Sequence, residues 1–171
     1  QAGRTFTVTA GNNMNYGYGI NDVPREVGVS LDVNESYDFV TKETVNLGDP
    51  IRLYAAPNIK GLDFSKMTAR LATMDITKVY TESLGTQLTS LIIGNASATN
   101  NELTTISGLN KANKLEVLDV QGCKGLTSLD LSNQSYFKTL KAKGSSVASV
   151  VFAKGAPVER IELPSLVKTL T

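Results

Sequence analysis

A single apolar frame, L-x-x-L-x-L, recurs through most of this chain and limits its possible folds more than any other feature. The clearest copies are residues 115–120 (LEVLDV) and 126–131 (LTSLDL). In each copy the last two apolar residues are two positions apart, which places both side chains on one face of a β-strand. One short strand cannot bury that face alone, so we expect the copies to stack as parallel strands about 4.8 Å apart.

The copies fall into two alternating sets. The first set begins at positions 59, 88, 115, 137 and 158, and the second begins at positions 71, 103, 126, 147 and 167. From position 115 onward the next member of a set follows after 20 to 22 residues, so each coil of about 21 residues carries two short strands. An antiparallel hairpin of residues 115–120 with 126–131 is the alternative, but a hairpin meander predicts no period of this length.

The predicted fold class is therefore mainly β, with a β-solenoid of two short parallel strands per coil at residues 58–171. Residues 1–57 are predicted to form a small β-rich cap or attachment unit, because the end of a solenoid is an unpaired edge that must be covered. Within this unit, residues 5–9 and 14–20 predict a hairpin around a turn at 11–13. Residues 27–32 and 51–55 predict further strands.

The same frame predicts which side chains are buried and which face solvent. The positions expected to be nearly inaccessible are Leu118, Val120, Leu129, Leu131, Leu140, Val150, Phe152, Ile161 and Leu163. The residue between the last two apolar positions should point outward, which places Asp119, Lys141 and Glu162 on neighbouring strands with alternating charge. This arrangement is either a recognition face or a solvated charge ladder that contributes little energy.

A candidate binding face follows from these outward positions and from an aromatic stripe in the N-terminal unit. Met14, Tyr16 and Tyr18 alternate, so their side chains share a face that either belongs to the core or stacks on a sugar or a partner. The residues assigned to the candidate face are Asp119, Lys141, Glu162, Lys143, Arg160, Tyr16 and Tyr18.

Residues 115–123 resemble the leucine-rich repeat consensus, with Cys123 at the position that this family usually fills with Asn or Cys. The resemblance covers roughly residues 59–171, and two strands per coil are similar to the short repeats of bacterial leucine-rich surface proteins. The later coils, with KGSS at 143–146, FAKGAP at 152–157 and IELP at 161–164, resemble repeats of virion and tail proteins of gut Bacteroides (crAss-like) phages. The resemblance implies a structural or recognition module and supplies no catalytic residue; Cys123 would point inward as a structural residue.

Composition narrows the function classes. Seventeen Lys and Arg face sixteen Asp and Glu, so the net charge of +1 does not favour nucleic acid as a partner. The chain has no His and one Cys, which excludes Ser–His or Cys–His nucleophile pairs and zinc sites of the His/Cys kind. No apolar run is long enough to enter a bilayer as a spanning segment. We therefore expect no catalytic residue, cofactor or metal.

Three functions remain in order of preference. The first is a non-enzymatic structural or recognition part of a phage virion or tail, and the second is a secreted or surface-anchored bacterial adhesin. A glycan hydrolase with converging carboxylates such as Asp119 and Glu162 is a remote third. Expected partners are protein subunits of a larger assembly, or a glycan or protein of a cell surface. The copy at position 167 stops before its third apolar residue, so we expect further repeats or a partner subunit to cover residues 158–171.

Overall fold

The computed structural model of the protein describes residues 4–46, 48–67, 71–81, 85–95, 97, 99–100 and 102–171. Within these residues the fold is mainly β, and its regular structure consists of short strands with three 3-10 turns at Ala56–Asn58, Thr77–Val79 and Leu109–Lys111. The strands are β1 (Thr5–Ala10), β2 (Met14–Ile20), β3 (Val23–Leu31), β4 (Ser36–Val40), β5 (Ile51–Tyr54), β6 (Ile59–Asp63), β7 (Met74–Asp75), β8 (Tyr80–Thr81), β9 (Gly85–Thr86), β10 (Ser90–Ile92), β11 (Ile106–Ser107), β12 (Val117–Asp119), β13 (Ser128–Leu131), β14 (Thr139–Lys141), β15 (Ser149–Phe152), β16 (Arg160–Glu162) and β17 (Thr169–Leu170).

The largest sheet in the described part of the chain has seven strands, in the order β16-β14-β12-β10-β6-β1-β4. From β6 to β16 the neighbouring strands are parallel, and each comes from the next coil along the chain. The predicted parallel pairing of the copies that begin at 115, 137 and 158 is therefore confirmed. The hairpin alternative is wrong, because β12 pairs with β10 and β14 rather than with β13.

The second set of copies forms two further sheets. Strands β13, β15 and β17 are parallel neighbours, and β7 pairs with β11 in the same manner. The copy that begins at Leu103 continues into a 3-10 turn, and Gly108 at its start has a φ of +80°. A Cβ at Gly108 would lie 2.5 Å from the backbone nitrogen of Thr77, so the turn packs against the previous coil as only glycine allows.

The hairpin predicted for residues 5–20 is wrong. Strand β1 pairs antiparallel with β4 and β6, whereas β2 pairs with β3 and β5 in another sheet. The chain crosses from one sheet to the other at residues 11–13, and the apolar faces of β1 and β2 pack together. The rings of Phe6 and Tyr18 meet edge to face at 5.5 Å, and Phe6 stacks on Phe39 at 5.6 Å. The strand expected at 27–32 overlaps β3, and the strand expected at 51–55 overlaps β5.

The core contains most of the side chains that the repeat frame assigned to it. Six of the nine are buried, namely Leu118, Val120, Leu129, Leu131, Leu140 and Val150. The prediction is wrong for the last coil: Phe152 and Leu163 are half-buried and Ile161 is 39% exposed. In the described structure β16 has a strand neighbour on one side only, so fewer side chains contact Ile161 than contact Leu118.

Candidate functional site

The outer face of the seven-stranded sheet is formed by side chains that alternate with the buried ones. Strand registers place these outward positions in two rows that cross all seven strands. The first row is Ser36, Thr9, Gly61, Ser90, Val117, Thr139 and Arg160. The second row is Asp38, Thr7, Asp63, Ile92, Asp119, Lys141 and Glu162. We call this surface the outer face.

Four of the seven predicted binding residues lie together on the outer face, in the strands β12, β14 and β16. These are Asp119, Lys141, Arg160 and Glu162. Lys143 is exposed in the turn that follows β14 and is therefore beside the face rather than in it. The repeat frame thus identified one half of the face correctly.

Asp119 does not face solvent, and that prediction is wrong. Its exposed fraction is 5%, although it occupies an outward position. The carboxylate accepts a hydrogen bond from the backbone N–H of Gln121 at 3.0 Å and another from the Gln121 side-chain amide at 2.9 Å. The Nζ atom of Lys141 lies 4.0 Å from the same carboxylate. These contacts exclude water and hold the Asp119 side chain against the strand.

The predicted charge ladder is only partly formed. Lys141 approaches Asp119 on the neighbouring strand, but Glu162 pairs with Arg160 on its own strand. A further cross-strand pair lies at the rim, where Lys138 contacts Glu116 at 2.7 Å and this hydrogen bond raises the pKa of Lys138. Exposed ion pairs of this kind contribute little to stability individually.

Tyr16 and Tyr18 are not part of a binding surface. Their exposed fractions are 1% and 2%, so both rings belong to the hydrophobic core, and their placement in the candidate face is wrong. The Tyr16 hydroxyl donates to a backbone carbonyl at the turn between the sheets, and burial is the main cause that raises the pKa of Tyr18. Met14, the third member of the stripe, is 37% exposed and lies outside this core.

A shallow depression of about 300 Å³ lies on the outer face where β1, β6 and β10 meet. Its floor is at Gly61, which has no side chain, while the flanking strands contribute Thr9, Ser36 and Ser90 in the same row. A Cβ at Gly61 would lie 3.1 Å from the Thr9 side chain, so the depression exists because this position is glycine.

Acidic and hydroxyl groups surround this depression. The Thr7 hydroxyl donates to Asp38 at 2.5 Å, and the Oγ atoms of Thr9 and Ser36 are 2.8 Å apart.

Lys66 donates to Asp38 at 2.6 Å, and this hydrogen bond, with that from Thr7, lowers the pKa of the Asp38 carboxyl. Asp63 accepts the backbone N–H of Ser65 at 2.7 Å. The region therefore carries many hydroxyl and carboxylate oxygens, and the Lys66 charge is already paired.

Cys123 is buried, as its repeat position predicts. Burial and the nearby Asp119 raise the pKa of its thiol to about 11, so the side chain stays protonated at neutral pH. The equivalent positions in the next two half-coils hold Gln134 and Ser145, which are also buried and donate to backbone carbonyls at 2.8 and 2.7 Å. Gln134 thereby connects its turn to the turn at Leu109, whereas Ser145 bonds within its own turn.

The residues that the structure describes contain no group of three or more Cys, Asp or Glu side chains placed to hold a metal ion. They also contain no helix with the length and apolar character needed to cross a membrane.

Sequence reasoning missed the part of the outer face that β1 and β4 supply. The alternation at residues 5–9 predicted a strand there, but strand β4 was not predicted. Its outward residues Ser36 and Asp38 join β1 only through a pairing about 30 residues apart in the chain. Local alternation gives the orientation of side chains in a strand and does not give its partner.

Comparison with known proteins found no matching family model, no similar curated protein and no similar solved structure.

Proposed function

We propose that this chain is a β-solenoid of the leucine-rich repeat type and a non-enzymatic recognition or structural module that binds its partner with the outer face. The observation that carries the proposal is the continuous face itself, in which two rows of side chains cross seven strands on a sheet whose other side is the core. A rigid sheet that presents a broad array of outward side chains is suited to binding.

The repeat assignment is supported by two features. Parallel strands one coil apart pair with matching frame positions, as when Leu118 lies between Leu91 and Leu140. The position that follows the third apolar residue by three places is filled by the buried, inward residues Cys123, Gln134 and Ser145. An inward side chain that bonds the turn backbone at this position is what the resemblance to leucine-rich repeats implies.

The setting that we propose is a phage virion or tail, where the module contacts other protein subunits or a protein or glycan of the host surface. This rests on the resemblance of the later coils to phage repeats. A secreted or surface-anchored bacterial adhesin is the second candidate, favoured by the same repeat frame with two strands per coil. Both candidates place the protein on a virion or outside the cell and use the same face.

A non-catalytic role is supported by the environment of the carboxylates. Asp119 accepts two hydrogen bonds from Gln121, and Glu162 pairs with Arg160. Lys141 lies on the strand between them. A glycan hydrolase requires one carboxyl in an apolar site, whereas each of these two carboxylates contacts polar or charged partners.

The setting is tested by immunogold electron microscopy with an antibody raised against the purified chain. We expect label on phage particles; label on bacterial surfaces would favour the adhesin, and label on neither would contradict the proposal.

The role of the outer face is tested by removing positive charge from it and, separately, from turns and edges elsewhere. In the face variant Lys141→Gln is combined with Arg160→Gln, and the matched control combines Lys154→Gln with Lys168→Gln. We expect the face variant to bind the labelled particles or cells at least tenfold more weakly, and the control to bind as the parent does. Equal losses in both variants would exclude this face.

Polysaccharide hydrolysis that disappears in Asp119→Asn or Glu162→Gln would overturn the non-enzymatic role.

A further inference from the structure

We propose that the depression at Gly61 is a subsite for one neutral, polyhydroxylated ring, that is, a single saccharide residue. The inference rests on the proposed function and names a ligand class for one part of the outer face. It concerns the end of the face at β1, β6 and β10, which is separate from the charged end at β12, β14 and β16.

The shape of the depression suits a ring rather than a long chain. Neighbouring strands lie about 4.8 Å apart, so the distance from β1 to β10 is about 10 Å, which is wide enough for one hexose ring. Its volume of about 300 Å³ is at the lower end of the range of about 300–1,000 Å³ that small-ligand sites span. Thr9, Gly61 and Ser90 lie in one row and are small residues, so a ring can approach the strand backbone closely.

The polar groups of the depression match the hydrogen bonds of sugar hydroxyls. Thr9 and Ser36 share one hydrogen between their hydroxyl oxygens, which leaves the other hydroxyl hydrogen of the pair for a ligand. Asp63 uses one carboxylate oxygen for Ser65, and its second oxygen can accept from a ligand hydroxyl. Ser90 on the opposite wall can donate and accept. Donors and acceptors are thus mixed around one small space.

Other ligand classes fit the same groups less well. The carboxylates of Asp38 and Asp63 would repel a phosphate or another anion, and Lys66 pairs with Asp38. Lys60 keeps its positive charge but directs one hydrogen to Asn34. An apolar ligand would cover the remaining hydrogen-bonding sites of the hydroxyl and carboxylate groups without replacing their water partners, which is unfavourable. A neutral ligand rich in hydroxyls avoids both costs, and Ile92 at the rim can contact the apolar face of a sugar ring.

The test uses three probes, methyl β-glucoside, methyl α-mannoside and the methyl glycoside of N-acetylglucosamine, added separately to isotope-labelled chain and followed by amide NMR spectra. Glycerol serves as the control polyol without a ring. We expect at least one glycoside to shift the amide signals of Thr9, Gly61 and Ser90 in a saturable manner, while glycerol does not. No saturable shift with any glycoside, or equal shifts with glycerol, would overturn the inference.

Variants of the depression make the test specific. Gly61→Ala places a methyl group on the floor and should abolish the shifts. Ser90→Ala removes one hydrogen bond and should weaken binding roughly threefold to tenfold. Thr139→Ala is the matched control, since Thr139 lies in the same row two strands away and is half-buried like Ser90. If Gly61→Ala does not fold, Ser90→Ala still decides the question. Shifts that persist unchanged in Ser90→Ala would exclude this site.

The failure of this inference and the failure of the proposed function give different results. If glycosides do not bind but the Lys141 and Arg160 variant loses its particle or cell binding, the outer face recognises a partner and only the saccharide subsite is wrong. If immunogold label is absent from particles and cells, the proposed function fails regardless of the NMR result.

Discussion

The central coil and the last coil use the same apolar frame but are buried to very different degrees. Leu118 and Leu129 of the central coil are 0% and 4% exposed, whereas the equivalent Ile161 and Leu170 are 39% and 50% exposed. The inward turn position shows the same contrast, since Cys123 is fully buried and Leu166 is 60% exposed. The frame therefore determines the direction of each side chain, while the neighbouring coils determine how much of it is removed from water.

The largest expected effect is on stability, and it compares one leucine from each coil. Leu129→Ala should reduce the free energy of unfolding by about 2–5 kcal/mol, because it removes buried methyl groups and leaves a cavity. Leu170→Ala should reduce it by less than about 1 kcal/mol, because half of that side chain is already in water. Urea unfolding of both variants measures the difference. Equal losses would mean that the last coil is covered in solution as the central coil is.

The second prediction compares two thiols at the same repeat position. Because the pKa of Cys123 is raised from 9.0 to about 11, its thiolate fraction near pH 8 is about a hundredfold lower than that of an ordinary thiol. We expect a thiol reagent to label Cys123 at least a hundredfold more slowly than a cysteine introduced as Leu166→Cys in a Cys123→Ala background. Similar labelling rates would contradict the fully buried position of Cys123.

The raised pKa also gives the sign of a pH effect. Above pH 9 the unfolded thiol loses its proton while the folded thiol keeps it up to about pH 11, so the free energy of unfolding falls as pH rises through this interval. The loss reaches at most about 2–3 kcal/mol, at about 1.36 kcal/mol per pKa unit. The Cys123→Ala variant controls for other groups and should lack this component.

The smallest expected effect compares the outward carboxylates. Asp119→Ala should reduce stability by about 1–3 kcal/mol, because the partly buried backbone N–H of Gln121 loses its acceptor. Glu162→Ala should change stability by no more than about 0.5 kcal/mol, since its partner Arg160 has a side chain that is 64% exposed. Thermal or urea unfolding decides between them. A large loss for Glu162→Ala would show that the last coil is packed more tightly than its exposure indicates.

The wrong predictions of side-chain exposure have the same origin as the difference in burial between the central coil and the last coil. The frame gave the correct direction for Asp119 and Ile161, and both predictions of exposure failed. Asp119 is buried because Gln121 and Lys141 lie against it, and Ile161 is exposed because its strand has one neighbour in the described structure. The order of the parallel strands was predictable, since each strand pairs with the copy one coil away.

The depression at Gly61 was beyond sequence reasoning for a related reason. It requires segments near residues 9, 36, 61 and 90 to meet on one face. The pairing of β6 with β10 follows the repeat, but the antiparallel pairing of β1 with β4 and β6 follows no period. The alternating side chains of residues 5–9 fit several partners equally well, so only the three-dimensional packing of Phe6 and its neighbours selects one.

The position of β1 between β4 and β6 has a consequence for how the chain is made. Residues 5–10 leave the ribosome before either of their partner strands, which end at residues 40 and 63. At about 5–20 residues per second, β1 waits roughly 3 to 10 s before its second partner has been synthesised. Each later strand of the seven-stranded sheet can instead join an edge that already exists, so the slow, long-range closure belongs to the N-terminal unit and the coils extend from it.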